Sequence, residues 1–139
     1  MRVNPYLIMD GNVKEAVDFY KKVLDAELVN MQTFGDMPAN PEFPLPDAAK
    51  DLVAHAMLKV GDTELMFSDA FPGQPVQIGD NVQVCVTTDS ADKSKAVFAA
   101  LADGGTVVMP IQETFWSPAY GIVTDKFGIS FQVTTHPAQ

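Results

Sequence analysis

Hydrophobic spacing along this chain passes through the same series of changes twice. Tyr6-Leu7-Ile8-Met9 is a short apolar run closed by Asp10-Gly11, the pattern of a buried strand. Asn12 with Glu15 is a variant of the capping box and starts a helix over about residues 12–25. Val13, Ala16, Val17, Tyr20, Val23 and Leu24 make its apolar stripe, and Lys14, Asp18, Lys21 and Lys22 fall largely away from it. Glu27 to Thr33 reads as a strand. Residues 35–50 carry Pro38, Pro41, Pro44 and Pro46, which fix φ and remove ladder donors, so this is a loop long enough to serve as a mobile cover over a cleft. Residues 52–60 and Thr63 to Asp69 then read as a hairpin around Gly61-Asp62.

After the breaker Phe71-Pro72-Gly73-Gln74-Pro75 the order returns. Residues 82–88 alternate and are β-branched, as a strand requires. Asp89-Ser90 caps a helix with the stripe Ala96, Val97, Ala100 and Leu101, stopped by Gly104-Gly105. Thr106 to Glu113 is a strand interrupted or ended near Pro110. Tyr120 to Thr124 and Ile129 to Thr135 are strands around the turn Asp125-Lys126-Phe127-Gly128. Glu15–Phe19 and Lys95–Ala99 hold equivalent places, as do Thr63–Phe67 and Ile129–Val133. The expected fold class is α+β: two βαβββ modules, about 1–70 and about 80–135, in one domain over 1–139. Their curved mixed sheets would enclose a cleft lined by alternating side chains.

Composition narrows the function. The 139 residues hold 18 acidic and 9 basic side chains, a formal charge of −9. Scattered Lys and Arg on an acidic chain exclude a phosphate-tracking, nucleic-acid-binding surface. No apolar run reaches the ~18–20 residues needed to span a bilayer, and the first residues lack the pattern of a signal peptide. The expectation is a cytoplasmic protein with neither membrane nor nucleic acid as partner. One cysteine, Cys85, excludes an internal disulfide and a cysteine-cluster zinc site. With no basic neighbour in sequence, it is expected to be a small, buried, inert side chain.

Few residues carry candidate chemistry. His55 lies mid-strand between two alanines. It is either a half-buried strut or a cleft-facing base, since imidazole exchanges its proton near neutrality. His136 lies in a tail expected to fray and is given no role. Asp69 ends a strand, where it either fixes His55 or closes a turn. Ser68 has no GxSxG elbow around it, so a hydrolase triad is unsupported. Phe115, Trp116 and Tyr120 form the densest aromatic cluster and serve either packing or a flat ligand. Met9, Met57 and Met66, on expected inner strands, suit a deformable apolar cleft or plain core filling.

Several segments carry a family resemblance. They are Asn4-Pro5-Tyr6-Leu7, Asp10-Gly11-Asn12, Phe19-Tyr20, Ala54-His55-Ala56, Met66-Phe67-Ser68-Asp69-Ala70, Glu113-Thr114-Phe115-Trp116 and Gly121 to Gly128. In that order the chain resembles PhnB-like proteins of the vicinal oxygen chelate superfamily, which includes glyoxalase I, bleomycin- and fosfomycin-resistance proteins and extradiol dioxygenases. The resemblance implies a glyoxalase-like fold, a small-molecule ligand and a homodimer, simple or with exchanged halves. Metal-dependent members place His, Glu or Gln on the first and last strand of each module. The corresponding places fall near Asn4-Pro5, Met66, Val82 or Gln83, and Gln132, a set that grips a divalent ion poorly. No metal and no other cofactor is therefore expected. No glycine-rich strand-to-helix turn supports the methyltransferase label some relatives carry. Three readings remain open. One is a ligand-binding protein or enzyme with acid–base chemistry at His55, assisted by Asp69 or Glu113, and ligand contacts from Met9, Met57, Met66, Phe115, Trp116, Tyr120 and Gln132. The second is a sequestering protein of the resistance type without chemistry. The third is a lyase or dioxygenase with a nonstandard metal site.

Overall fold

Alternation and helical spacing translate into structure element by element. A computed structural model describes residues 1–136. Its elements are β1 (Tyr6–Met9), α1 (Val13–Val23), β2 (Glu27–Thr33), β3 (Val53–Val60), β4 (Thr63–Asp69), β5 (Val84–Thr88), α2 (Ala91–Ala102), β6 (Thr106–Gln112), β7 (Tyr120–Thr124) and β8 (Ser130–Thr135). They fall into two compact units, divided after Gln77. The first holds a sheet in the order β1-β4-β3-β2 and the second a sheet in the order β5-β8-β7-β6. In each, the first strand runs parallel to the last and the other pairs are antiparallel. The βαβββ order is thus present twice.

In the first unit α1 buries Val13, Ala16, Val17 and Tyr20, the core of the expected stripe, while Val23 and Leu24 stay half-buried. They meet the sheet face that presents Ala56, Leu58, Leu65 and Phe67, all buried. The Tyr20 ring stacks on Phe67 with centroids 5.7 Å apart. Truncating either ring to alanine would cost ~3–5 kcal/mol. Asn12 precedes the helix but makes no capping bond, contrary to the capping-box expectation, and its buried Oδ1 has no hydrogen-bond partner. The first helical amide, that of Val13, donates instead to Asp69 Oδ1 at 3.1 Å.

The proline segment is tied at both ends rather than free. The Phe34 amide donates to Leu52 O at 2.9 Å and that of Gly35 to Lys50 O at 3.0 Å. Short 3-10 turns form at Phe34–Asp36 and Asp47–Ala49, and Ala49 is fully buried. Between these ties, residues 37–46 include a local turn at Asn40.

In the second unit Ser90 caps α2, its Oγ accepting from the Lys93 amide at 3.2 Å. The buried stripe is Ser94, Val97, Phe98 and Leu101; Ala96, expected inside, is exposed. Alanine fits either face, so the larger Phe98 sets the helix rotation. Gly121 makes room for that ring: a Cβ there would sit 2.7 Å from Phe98 Cε2 and 2.9 Å from Ile111 Cα. Pro110 lies inside β6 without ending it. The strand is at the sheet edge, and the register shift between Met109 and Gln112 absorbs the proline. Both outer strands bulge at the same step, between Leu28 and Asn30 in β2 and between Val107 and Met109 in β6. The tail expected to fray is ordered through His136, whose amide donates to Thr88 O at 2.9 Å; residues 137–139 lie outside the described residues.

Candidate functional site

Each sheet packs one face against its helix, so chemistry can be offered only from the other. Strand alternation decides which residues reach it. In the first unit Leu7, Met9, Phe67 and Asp69 share the helix side, because they pair across β1 and β4. Tyr6 pairs with Met66 and Ile8 with Ser68, and Met66 pairs with Met57, all on the helix-free side. His55 is two residues from Met57 on β3 and shares that side.

Tyr6 Oη lies 3.1 Å from His55 Nδ1, and the two rings are 5.7 Å apart. Whichever group donates, the bond orients the imidazole and leaves Nε2 for another partner. Met57 and Met66 are half-buried beside this pair. Of the expected contacts, His55, Met57 and Met66 therefore come together. Met9 does not: it is 3% exposed, in the core beneath α1.

Asp69 is also on the helix side and 3% exposed. Its Oδ1 accepts from the Val13 amide and its Oδ2 from the Val53 amide at 2.9 Å. The carboxylate ties the start of α1 to the start of β3 and lies across the sheet from His55. The expected assistance of His55 by Asp69 is not made. Strand alternation is the reason: Asp69 is two residues from Phe67, whose partner Ala56 is on the helix side, and His55 is one residue from Ala56 and so faces the other way.

The second unit has a longer polar chain on its helix-free side. Tyr120 Oη donates to Gln132 Oε1 at 2.9 Å, and Gln132 Nε2 donates to Gln83 Oε1 at 2.8 Å. Gln83 Nε2 donates to Asp80 O at 3.3 Å. Cys85 pairs in register with Gln132 and is exposed, not buried as expected. Its neighbours Val84 and Val86 are themselves only half-buried, so this first strand has a solvated side. Trp116 leans edge-on against Tyr120 at 5.2 Å and against Phe115 at 4.7 Å. The turn beneath them is closed by the Thr114 amide donating to Ser117 O at 2.9 Å. Phe115 is 97% exposed and Trp116 51%. Glu113 is exposed just beyond β6.

Tyr6 escaped the sequence reading, and Gln83 entered it only as the alternative to Val82 at a metal position, without its tie to Gln132. Tyr6 sits in an unbroken apolar run, where its hydroxyl was the only signal. Gln83 meets Gln132 across 49 residues of chain.

The donors at the family's metal positions do not suit a divalent ion. Met66 offers a thioether, and the Gln132 and Gln83 oxygens already accept hydrogen bonds. Among the described residues no three His, Cys, Asp or Glu side chains cluster as ligands. The resolved electrostatic shifts lie elsewhere, at the ends of the proline segment. The Thr33 amide and hydroxyl hold the Asp36 carboxyl below its usual 3.8. Lys50, 2.8 Å from Asp47, lowers that carboxyl and is itself raised. No helix among the described residues is long and apolar enough to cross a membrane.

Known proteins share this fold. The family profile described as Glyoxalase/Bleomycin resistance protein/Dioxygenase superfamily matches residues 2–133. Protein YjdN of Escherichia coli is 32% identical over 96% of this chain and 94% of its own. The crystal structure of PA1353 from Pseudomonas aeruginosa superposes with a TM-score of 0.88 at 36% identity, covering 99% of each chain. A Bacillus cereus PhnB protein, whose description names a 3-demethylubiquinone-9 3-methyltransferase, gives 0.80 at 24% identity, covering 98% of this chain and 100% of its own. At that identity the likeness concerns the fold.

Proposed function

The chain belongs to the glyoxalase/bleomycin resistance/dioxygenase superfamily as a PhnB-like member, and from that premise we propose that it binds a small organic molecule on the helix-free faces of its sheets, without a metal at the family's usual positions. The Tyr6–His55 bond carries this reading. A tyrosine hydroxyl that fixes an imidazole among methionine side chains gives one oriented hydrogen-bonding group in an adaptable apolar setting. Where a reaction follows binding, His55 is the group that takes or returns the proton, and Tyr6 positions it.

A sequestering role without chemistry is the second reading. It is favoured by the engagement of both Asp69 oxygens with backbone amides, which leaves His55 without that carboxylate. In either case the working unit we propose is a homodimer, since the ends of each sheet expose unpaired strand edges.

A fragment screen read by amide NMR tests the proposal. Hits are expected to move the signals of Tyr6, His55, Met57 and Met66, and to bind His55→Ala at least ten-fold more weakly. Hits that leave those signals still and bind the variant equally well overturn it. Stoichiometric zinc, nickel or iron in protein purified without a metal-affinity tag overturns the metal-free part. Sedimentation as a monomer overturns the dimer.

A further inference from the structure

Two thioethers and one imidazole share the helix-free face of the first sheet. Met57 and Met66 are directly opposite each other on β3 and β4, and both are half-buried. Directly opposed residues place their Cβ atoms ~4.5–5.5 Å apart, close enough for two flexible methionine side chains to meet at one point. His55 is two residues before Met57 on the same strand face. Its Nδ1 lies 3.1 Å from Tyr6 Oη. Tyr6 is on β1 and His55 on β3, so that bond crosses over β4, the strand that carries Met66. The imidazole is thereby drawn toward the Met66 side. With Nδ1–H given to the tyrosine oxygen, Nε2 keeps its lone pair for another partner. Metal-binding histidines are commonly held in this way, by a hydrogen bond at the other ring nitrogen.

The internal repeat shows that the sulfurs are not demanded by the fold. By strand register His55, Met57 and Met66 correspond to Tyr120, Ile122 and Gln132. The second module builds the same part of its sheet without methionine. The surroundings in the first module are neutral or paired. Gln32 and Asn30 stand opposite His55 and Met57 on β2. Glu27 and Glu64 share the next row with Lys59 in register between them, and Glu64 is 2.8 Å from Arg2. What the face offers is two soft sulfurs and one nitrogen. Thioethers select Cu(I), whereas zinc takes thiolate, imidazole or carboxylate. A neutral ligand set also suits a single charge better than two, because the cost of desolvating an ion rises with its charge. The formal charge of −9 favours the approach of cations over long range.

We propose that Met57, Met66 and His55 form a three-coordinate site for a soft monovalent cation, Cu(I), with Tyr6 as the positioning residue for the imidazole. Of the places where metal-dependent relatives hold a divalent ion, this site uses Met66 alone. The inference stands apart from the small-molecule reading, since the ion would take the Nε2 that an organic ligand would otherwise contact.

Competition with bicinchoninate under argon, with ascorbate present, measures Cu(I) affinity directly. The protein is expected to withdraw one equivalent of Cu(I) and to bind Zn(II) at least 100-fold more weakly. Cys85→Ser removes the chain's only thiol and should keep that equivalent, with an affinity within about three-fold of the original. Met57→Leu and Met66→Leu nearly conserve volume and should each weaken Cu(I) at least ten-fold. Tyr6→Phe keeps the ring, loses the hydroxyl and should weaken it about ten-fold. Ag(I), equally soft and stable in air, should shift the Met57 and Met66 ε-methyl signals and the His55 Nε2 signal together, saturating at one equivalent.

Cu(I) uptake that disappears in Cys85→Ser overturns the assignment, because the thiol is then the ligand. So does Zn(II) binding as tight as that of Cu(I), or an affinity unchanged in both leucine variants. Ag(I) that leaves the Met57 and Met66 methyl signals still overturns it without recourse to any variant. An unchanged affinity in Tyr6→Phe overturns the positioning role of the tyrosine. None of these results bears on the fragment screen, which decides the small-molecule reading by itself.

Discussion

The two units solve one local problem in different ways. In the first, the Asp69 carboxylate receives the amides of Val13 and Val53. In the second, the register of the last strand puts Thr135 where Asp69 stands, since Met9 pairs with Asp69 and Thr88 with Thr135. The buried helix stripes align Val13 with Ser94. The strand pairs Ala56–Phe67 and Gly121–Val133 align Val53 with Pro118. Neither donor survives in the second unit. α2 begins at Ala91, a turn before Ser94, so the Ser94 amide already donates to Ser90 O at 3.0 Å. Proline has no N–H to offer. Thr135 therefore meets hydroxyls instead: Ser94 Oγ lies 2.6 Å from both Thr135 Oγ1 and Thr88 Oγ1. A buried charge is held where two orphan amides call for it, and where the chain removes those amides a neutral hydroxyl net suffices.

Exchanging the two solutions should break the protein in a graded way. Thr135→Asp places a carboxylate where no amide awaits it, and should cost ~3–5 kcal/mol in urea unfolding. Adding Pro118→Ala supplies one N–H and should return ~1 kcal/mol. Asp69→Ala strands two buried amides and should cost ~2–4 kcal/mol, with Asp69→Asn intermediate because it keeps one acceptor. A double variant no better than Thr135→Asp alone would refute the equivalence of the two corners. Ser94→Ala should cost only ~1–2 kcal/mol, because Thr88 and Thr135 retain other acceptors at Ser90 O and Ala119 O. A loss as large as that of Asp69→Ala would show that the hydroxyl net is no softer than the charge.

Sequence reading recovered the fold because breakers and strand alternation are local signals. Every expected strand is present, and β1, β2, β4 and β7 have the expected bounds. The alignment of the repeat was one residue off. Matching Glu15–Phe19 to Lys95–Ala99 follows letters, whereas the buried faces pair Tyr20 with Leu101 and Val13 with Ser94. The extra helical turn of α2 causes the slip, and Ala91-Asp92-Lys93 has no apolar residue large enough to reveal it. At the candidate site, His55 was legible as a lone imidazole within a strand. Its tie to Tyr6 and the Gln83–Gln132 bond depend on which strands become neighbours, which composition cannot supply. Asp69 carried the right chemistry and the wrong address, because a shift of one residue on a strand changes the face.

The smallest expected effect lies outside both corners. Asp36 titrates below its usual 3.8 chiefly because the Thr33 amide donates to its Oδ2 at 3.0 Å, with the Thr33 side chain adding to the shift. A carboxyl lowered by folding adds stability above its unfolded pKa, and that contribution disappears as the pH falls through the folded value. Thr33→Ala should move the Asp36 midpoint upward in a carbon-detected NMR titration and leave its approach to full charge by pH 6 unchanged. An unmoved midpoint would deny the side chain its part and leave the shift to the Thr33 amide, which alanine keeps.

The matched kinks of β2 and β6 have a bearing on how this protein keeps company at high concentration. A growing amyloid-like ribbon requires a straight, evenly spaced row of amides onto which a foreign segment can zip. Here Val29 and Val108 are pushed out of step, one in each module, and Pro110 deletes a further rung. Straightening one of these borders by deleting its extra valine would be expected to trade a well-behaved solution for one that clouds on standing.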